Sequence, residues 1–148
     1  MAIELRAAEP TDAGAIAAVF GAARRSALAY LPVLHSAEED RAFFAGVVAE
    51  GGTTVALEDG HVVAFIAVGE ARVEHLYVEP AHWRRGIGTA LLRAAQAARP
   101  GGLDLWVFGR NTAAIAFYER HGFRIAERTD GAGNEEREPD ARMVWPGA

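Results

Sequence analysis

Two arginines and two glycines fall within five residues at Arg84-Arg85-Gly86-Ile87-Gly88, behind a short apolar run and ahead of an amphipathic one. That order of residue types suits a phosphorylated ligand. Glycine lets backbone N–H groups approach phosphate oxygens closely. A helix starting there presents unpaired N–H groups and the positive end of its dipole. The arginines add fixed charge in fork geometry. Glu74 and His75 stand before this loop and Tyr118 follows it, three side chains able to take or give a proton.

What is missing narrows the chemistry. The chain has no cysteine, which removes disulfides, thiolate zinc sites and a thiol nucleophile, and no metal is expected. It has no lysine, so neither a Walker-type phosphate loop nor Schiff-base chemistry fits. The formal net charge is −5 without a basic run, which argues against broad nucleic-acid binding. No apolar stretch has the length of a membrane span, and the first residues lack the basic-then-apolar signature of a signal peptide. A cytoplasmic location with no membrane contact is the expectation. With 148 residues, 51% of them hydrophobic, residues 1–148 are expected to fold as one globular domain.

The elements that must position these groups follow from periodicity and capping. Ile3–Ala7 reads as a strand. Pro10-Thr11-Asp12 starts a first helix with Thr11 as N-cap, and the helical spacing of Ile16, Val19 and Phe20 carries it to about Arg24. Ser36 and Glu39 have capping-box spacing for a second helix ending near Ala49. Thr53–Glu58 and His61–Val68 read as a hairpin around Asp59-Gly60. Arg72–Val78 is the next strand, and Ile87, Leu91, Ala94, Ala95 and Ala98 give a third helix one apolar face. Leu103–Phe108 is a buried strand. Asn111 caps a fourth helix, and Gly122 sits where its left-handed C′ residue belongs. Phe123–Glu127 and Met143–Trp145 are strands, with Arg128–Asp140 as a polar loop. The order β-α-α-β-β-β-α-β-α-β-β makes an α/β (α+β) mixed sheet flanked by helices.

Two separated motifs carry a resemblance. Leu76–Leu92, the strand-loop-glycine stretch, is similar to the cofactor-binding motif A of the GNAT-type acyl-CoA N-acyltransferases (GNAT N-acetyltransferases). The run NTAAIAFYERHGF from Asn111 to Phe123 is similar to their motif B. The element order extends the resemblance over the whole chain, and the motifs make it specific over about a third of it. A dinucleotide-binding loop is the rival reading of Gly86-Ile87-Gly88. It fits poorly, because Leu91 stands at the third glycine position and Glu79 to Arg85 separates strand from glycines. One departure from the family concerns Trp83, which stands where Gln or Arg usually opens the pyrophosphate loop.

The resemblance implies a GNAT-like fold, with a mostly antiparallel sheet splayed between the fourth and fifth strands. It implies direct transfer of an acetyl group from acetyl-CoA (coenzyme A) to a primary amine of a small molecule or an amino terminus. Phosphates would be held by the backbones of Arg84, Arg85, Gly86, Ile87, Gly88 and Thr89, with Arg85 the charged helper. The pantetheine arm would pair like an extra strand with Leu76, Tyr77 and Val78. Asn111 would serve as helix cap and cofactor contact.

Glu74 is the candidate base, or else a carboxylate paired with an arginine such as Arg72 on a solvated sheet face. His75 falls on the opposite face by alternation and reads as a packed residue. Tyr118 would give a proton to the departing thiolate. The acceptor would meet the helix one–two loop and the C-terminal hairpin, through Tyr30, His35 and Glu136 with Asn134, Glu135 and Asp140 beside them. Glu135-Glu136-Arg137-Glu138 also reads as an ordinary solvated loop, and Leu31 and Leu34 as core residues. Many relatives are homodimers, but no interface is legible in this chain. A non-catalytic acyl-CoA-binding module on the same fold is the alternative reading.

Overall fold

In the computed structural model, which describes residues 2–148, the elements follow the expected order. They are β1 (Ile3–Ala7), α1 (Ala13–Ala27), α2 (Ala37–Glu50), β2 (Thr53–Glu58), β3 (His61–Val68), β4 (Val73–Val78), α3 (Ile87–Ala98), β5 (Leu103–Phe108), α4 (Thr112–Arg120), β6 (Arg124–Thr129) and β7 (Asp140–Trp145). β2 and β3 carry continuous apolar runs, residues 55–57 and 62–68, because helices cover both faces of the sheet. Asp59 and Gly60 join them with φ of 52° and 79°, the two left-handed positions a tight two-residue hairpin needs.

The start of α1 differs from expectation. Thr11 is not its cap. Pro10–Asp12 form a turn of 3-10 helix, and Asp12 organises it. The Glu9 N–H donates to Asp12 Oδ2 at 2.7 Å. The Arg6 fork donates to both Asp12 oxygens at 2.7 and 3.1 Å. Arg6 thereby holds this buried carboxyl below the usual carboxylate range. The α2 cap is as read: Ser36 Oγ accepts from the Glu39 N–H at 3.1 Å, and Glu39 accepts from the Ser36 N–H at 2.9 Å.

The strands form two sheets, ordered β1-β2-β3-β4 and β5-β7-β6, with antiparallel neighbours throughout. They meet where β4 begins, through a parallel bridge of Arg72 to Asp104, and beyond it β4 and β5 are unpaired with each other. α1 and α2 cover one face around Ile16, Val19, Phe44, Val55 and Phe65. α3 and α4 cover the other around Ile66, Leu91, Leu105, Phe123 and Met143. β6 and β7 extend further than expected because polar residues continue the ladder: Arg142 donates to Glu127 at 2.7 Å, and Thr129 to Asp140. One face of this pair meets solvent, so polarity there does not end a strand. Among the described residues no helix is long and apolar enough to cross a membrane.

Candidate active site

The loop between β4 and α3 is built to expose amides. Gly86 is the residue before the first helical turn, with φ of 79°. Arg84 is also left-handed, with φ of 66°, and Arg85 between them is not. Left-handed residues on both sides of Arg85 suit a concavity of exposed N–H groups for an anion. The first intrahelical bond runs from the Ala90 N–H to the Gly86 carbonyl at 3.0 Å. The N–H groups of Ile87, Gly88 and Thr89 therefore have no helical partner. With Arg84, Arg85 and Gly86 they make a row of six consecutive residues whose amides have no backbone partner among the described residues.

The loop is anchored from outside. Arg85 donates to Glu58 at the end of β2 at 3.0 Å, and His82 meets the same carboxylate at 3.3 Å. Arg85 was the expected charged helper; its guanidinium is held by Glu58, whereas Arg84 has no ion-pair partner among the described residues.

The strand half of the site follows from register. The Glu79 N–H donates to the Val63 carbonyl at 2.8 Å. Stepping by two through the pairs Phe65–Tyr77 and Ala67–His75, the backbones of Tyr77 and His75 face β3. Those of Leu76 and Val78 face away from β3, toward the gap where β4 and β5 separate. This unpaired edge suits an extended ligand with amide groups. Trp83 lies on it: its indole Nε1–H donates to the Val78 carbonyl at 2.7 Å. Across the gap, the Asn111 Oδ1 accepts from the Ala114 N–H at 3.3 Å and caps α4. The groups present fit coenzyme A, with free amides and arginine for its phosphates and an open strand edge for its amide-bearing arm.

The proton-handling residues are dispersed. Tyr118 lies in the α3–α4 core, packed edge-on to Phe117 and Phe123, and its hydroxyl has no hydrogen bond among the described residues. Burial, and then the nearby Tyr77, raise its pKa above the usual phenol value. Glu74 does not pair with Arg72, whose fork is bound to Asp104 at 2.8 Å through both nitrogens. A register shift opposite Ala67 and Val68 breaks the alternation of β4. Glu74 falls in that irregularity, and it and His75 both border a hollow at the sheet edge that runs from Phe43 and Val47 to Arg99. His75 stacks edge-on to Phe44 at 5.1 Å, and burial pulls its pKa down to about 4. The structure does not bring Glu74 against Tyr118.

Tyr77 points its ring the other way from the Leu76 side chain, edge-on to Phe20 at 5.1 Å. Phe20, Arg24 and Glu136 line a cavity of about 890 Å³ between α1, the α1–α2 loop and α2. Three contacts tie that loop and α1 to the segment joining β6 and β7. Arg24 meets Glu136 at 3.4 Å, and His35 meets Glu135 at 2.5 Å. Tyr30 stacks under Arg110 at 4.0 Å, and Arg110 pairs with Glu138 at 2.6 Å. The Tyr30 hydroxyl is buried without a partner among the described residues. Tyr30, His35 and Glu136 are thus brought to one side of the molecule, and the acidic loop is neither freely solvated nor an uncompensated rim. Leu31 is buried as a core residue, while Leu34 is 43% exposed. Arg24, Arg110 and Glu58 gave no local signal, since their partners lie 112, 28 and 27 residues away.

Residues 49–125 match the family described as Acetyltransferase (GNAT) domain. The peptidyl-lysine N-acetyltransferase YiaC of Escherichia coli K12 is 38% identical over 91 residues, 60% of this chain and 60% of that protein's length. The apo-form YjaB of Escherichia coli superposes with a TM-score of 0.83 at 20% identity, covering 100% of both chains. The PaiA N-acetyltransferase of Thermoplasma acidophilum, solved in complex with coenzyme A, superposes with a TM-score of 0.76 at 20% identity, covering 99% of both. The two motifs, the divided sheet and this match over more than half of its length show that the chain belongs to the GNAT acetyltransferase family.

Proposed function

We propose that this protein is an acetyl-CoA-dependent N-acetyltransferase acting on a primary amine of a small molecule or an amino terminus. The observation that carries the reading is the junction of six free amides at Arg84–Thr89 with the open β4 edge at Leu76 and Val78. Family membership and the coenzyme A held by the PaiA structure support it. Acetyl-CoA supplies an activated acetyl thioester.

The chain's own groups divide the work. The amides of Arg84–Thr89 bind phosphate oxygens, with the α3 dipole behind them and Arg84 as the unpaired cation. The backbones of Leu76 and Val78 align the cofactor's arm, and one of their N–H groups is placed to polarise the thioester carbonyl. Asn111 keeps the α4 terminus in place. Tyr118, kept protonated by burial, holds a proton at its hydroxyl for the departing thiolate. Glu74 takes the amine's proton through water from its hollow beside β4. Tyr30, His35 and Glu136 bind the acceptor, and the apolar lining from Leu28, Leu31 and Pro32 favours an amine with an apolar body.

The test is an amine panel with acetyl-CoA, read as free thiol. Thiol released in step with acetylated amine is the expected result. Stoichiometric binding with no release across the panel would favour a non-catalytic acyl-CoA-binding module.

A further inference from the structure

Trp83 is the residue in the loop that its amide row does not explain. It stands five residues past Val78, yet its ring folds back onto the strand. The indole has one donor and no acceptor, and that donor goes to the Val78 carbonyl at 2.7 Å. Register turns this carbonyl away from β3, so no sheet partner satisfies it. It is also one of the two carbonyls that the open edge offers to a ligand lying along β4. Trp83 is 41% exposed, so it is not anchored in the core.

We propose that Trp83 is a positioning residue that holds the Val78 carbonyl until the amide-bearing arm of the cofactor takes it. This rests on the reading of the β4 edge as the bed of that arm. Before binding, the indole takes the place of water on this acceptor, and it straps the phosphate loop to the end of β4. On binding, the arm's amide N–H and the indole N–H compete for one carbonyl, and Trp83 yields. The gain from the arm is thus reduced by the bond it displaces, while contacts to the phosphates are not.

The test compares two ligands on wild type and on Trp83→Phe, which keeps a ring but removes the donor. One ligand is coenzyme A; the other is its phosphoadenosine diphosphate half, which lacks pantetheine. Calorimetry gives the ratio of the two dissociation constants for each protein. Any general loosening of the loop in Trp83→Phe affects both ligands and cancels. The expected result is a preference for intact coenzyme A that rises about 3- to 10-fold in Trp83→Phe, the size of one net hydrogen bond. A ratio that is unchanged or lower, with wild type binding both ligands, overturns the role of Trp83 and leaves the cofactor reading standing. Wild type that binds neither ligand overturns both.

Discussion

Replacing Gly86 by alanine separates backbone strain from ligand binding, because the fold supplies a matched control. Gly86 and Gly60 both have φ of 79°, and a Cβ built on either meets no atom within 4 Å. Neither substitution creates a clash, so each costs only the left-handed strain of an L-residue, about 1–2 kcal/mol. Part of this is offset, by about 0.4–1 kcal/mol, because alanine restricts the unfolded chain. Both variants should therefore lose about 1 kcal/mol in urea unfolding. Gly60 sits at the tip of the β2–β3 hairpin, whereas Gly86 sets the direction of the exposed amides. Relief of that strain by a backbone that leaves the left-handed region turns the amides away, so titration with coenzyme A should show binding by Gly86→Ala weaker by about tenfold or more. Gly60→Ala should bind like wild type. Equal affinity in both variants, or an equal loss in both, would refute the assignment of the amide row as the phosphate site.

Other predictions follow from buried and paired groups. His75 has a folded pKa near 4 against 6.5 for the free imidazole, so stability is full above 6.5 and falls as pH drops toward 4. At about 1.4 kcal/mol per pH unit of that window, roughly 2 kcal/mol should be lost by pH 5, and His75→Phe should abolish that fall in paired urea titrations while leaving turnover unchanged. Tyr118→Phe removes a hydroxyl that has no hydrogen-bond partner among the described residues, so its melting temperature should stay close to wild type. If the hydroxyl serves the leaving thiolate, kcat should fall on the order of 100-fold with little change in coenzyme A affinity; an unchanged rate in single-turnover kinetics removes it from the mechanism. His35 is raised above 6.5, first by its hydrogen bond to Glu135, so this tie is complete below 6.5 and is lost as pH rises through the raised value. An NMR titration should show that elevation in wild type and its loss in Glu135→Gln.

Much of the frame was legible because local chemistry and tertiary packing agree. β2, β3 and β5 have the expected bounds, since each carries apolar residues that the helices cover. Ser36 with Glu39, and Asn111 with Ala114, cap as their spacing implies. Thr11 failed because Asp12 gained a second ligand, Arg6, from the neighbouring strand, and no periodicity announces that. The shift in β4 register, which leaves Glu74 without a partner in the ladder, is likewise a product of pairing with β3 and not of the residues alone. Trp83 was visible as an unusual residue, but its bond to Val78 required the loop to fold back. The contacts that join the α1–α2 loop to the β6–β7 segment couple distant residues, so only the folded chain displays them.

The central claim is that Arg84–Thr89 and the β4 edge bind acetyl-CoA. Calorimetric titration of the purified wild-type protein with acetyl-CoA tests it most directly. The account predicts saturable binding of one molecule per chain, weakened by Gly86→Ala. No binding at high micromolar acetyl-CoA, with the protein folded, would contradict it.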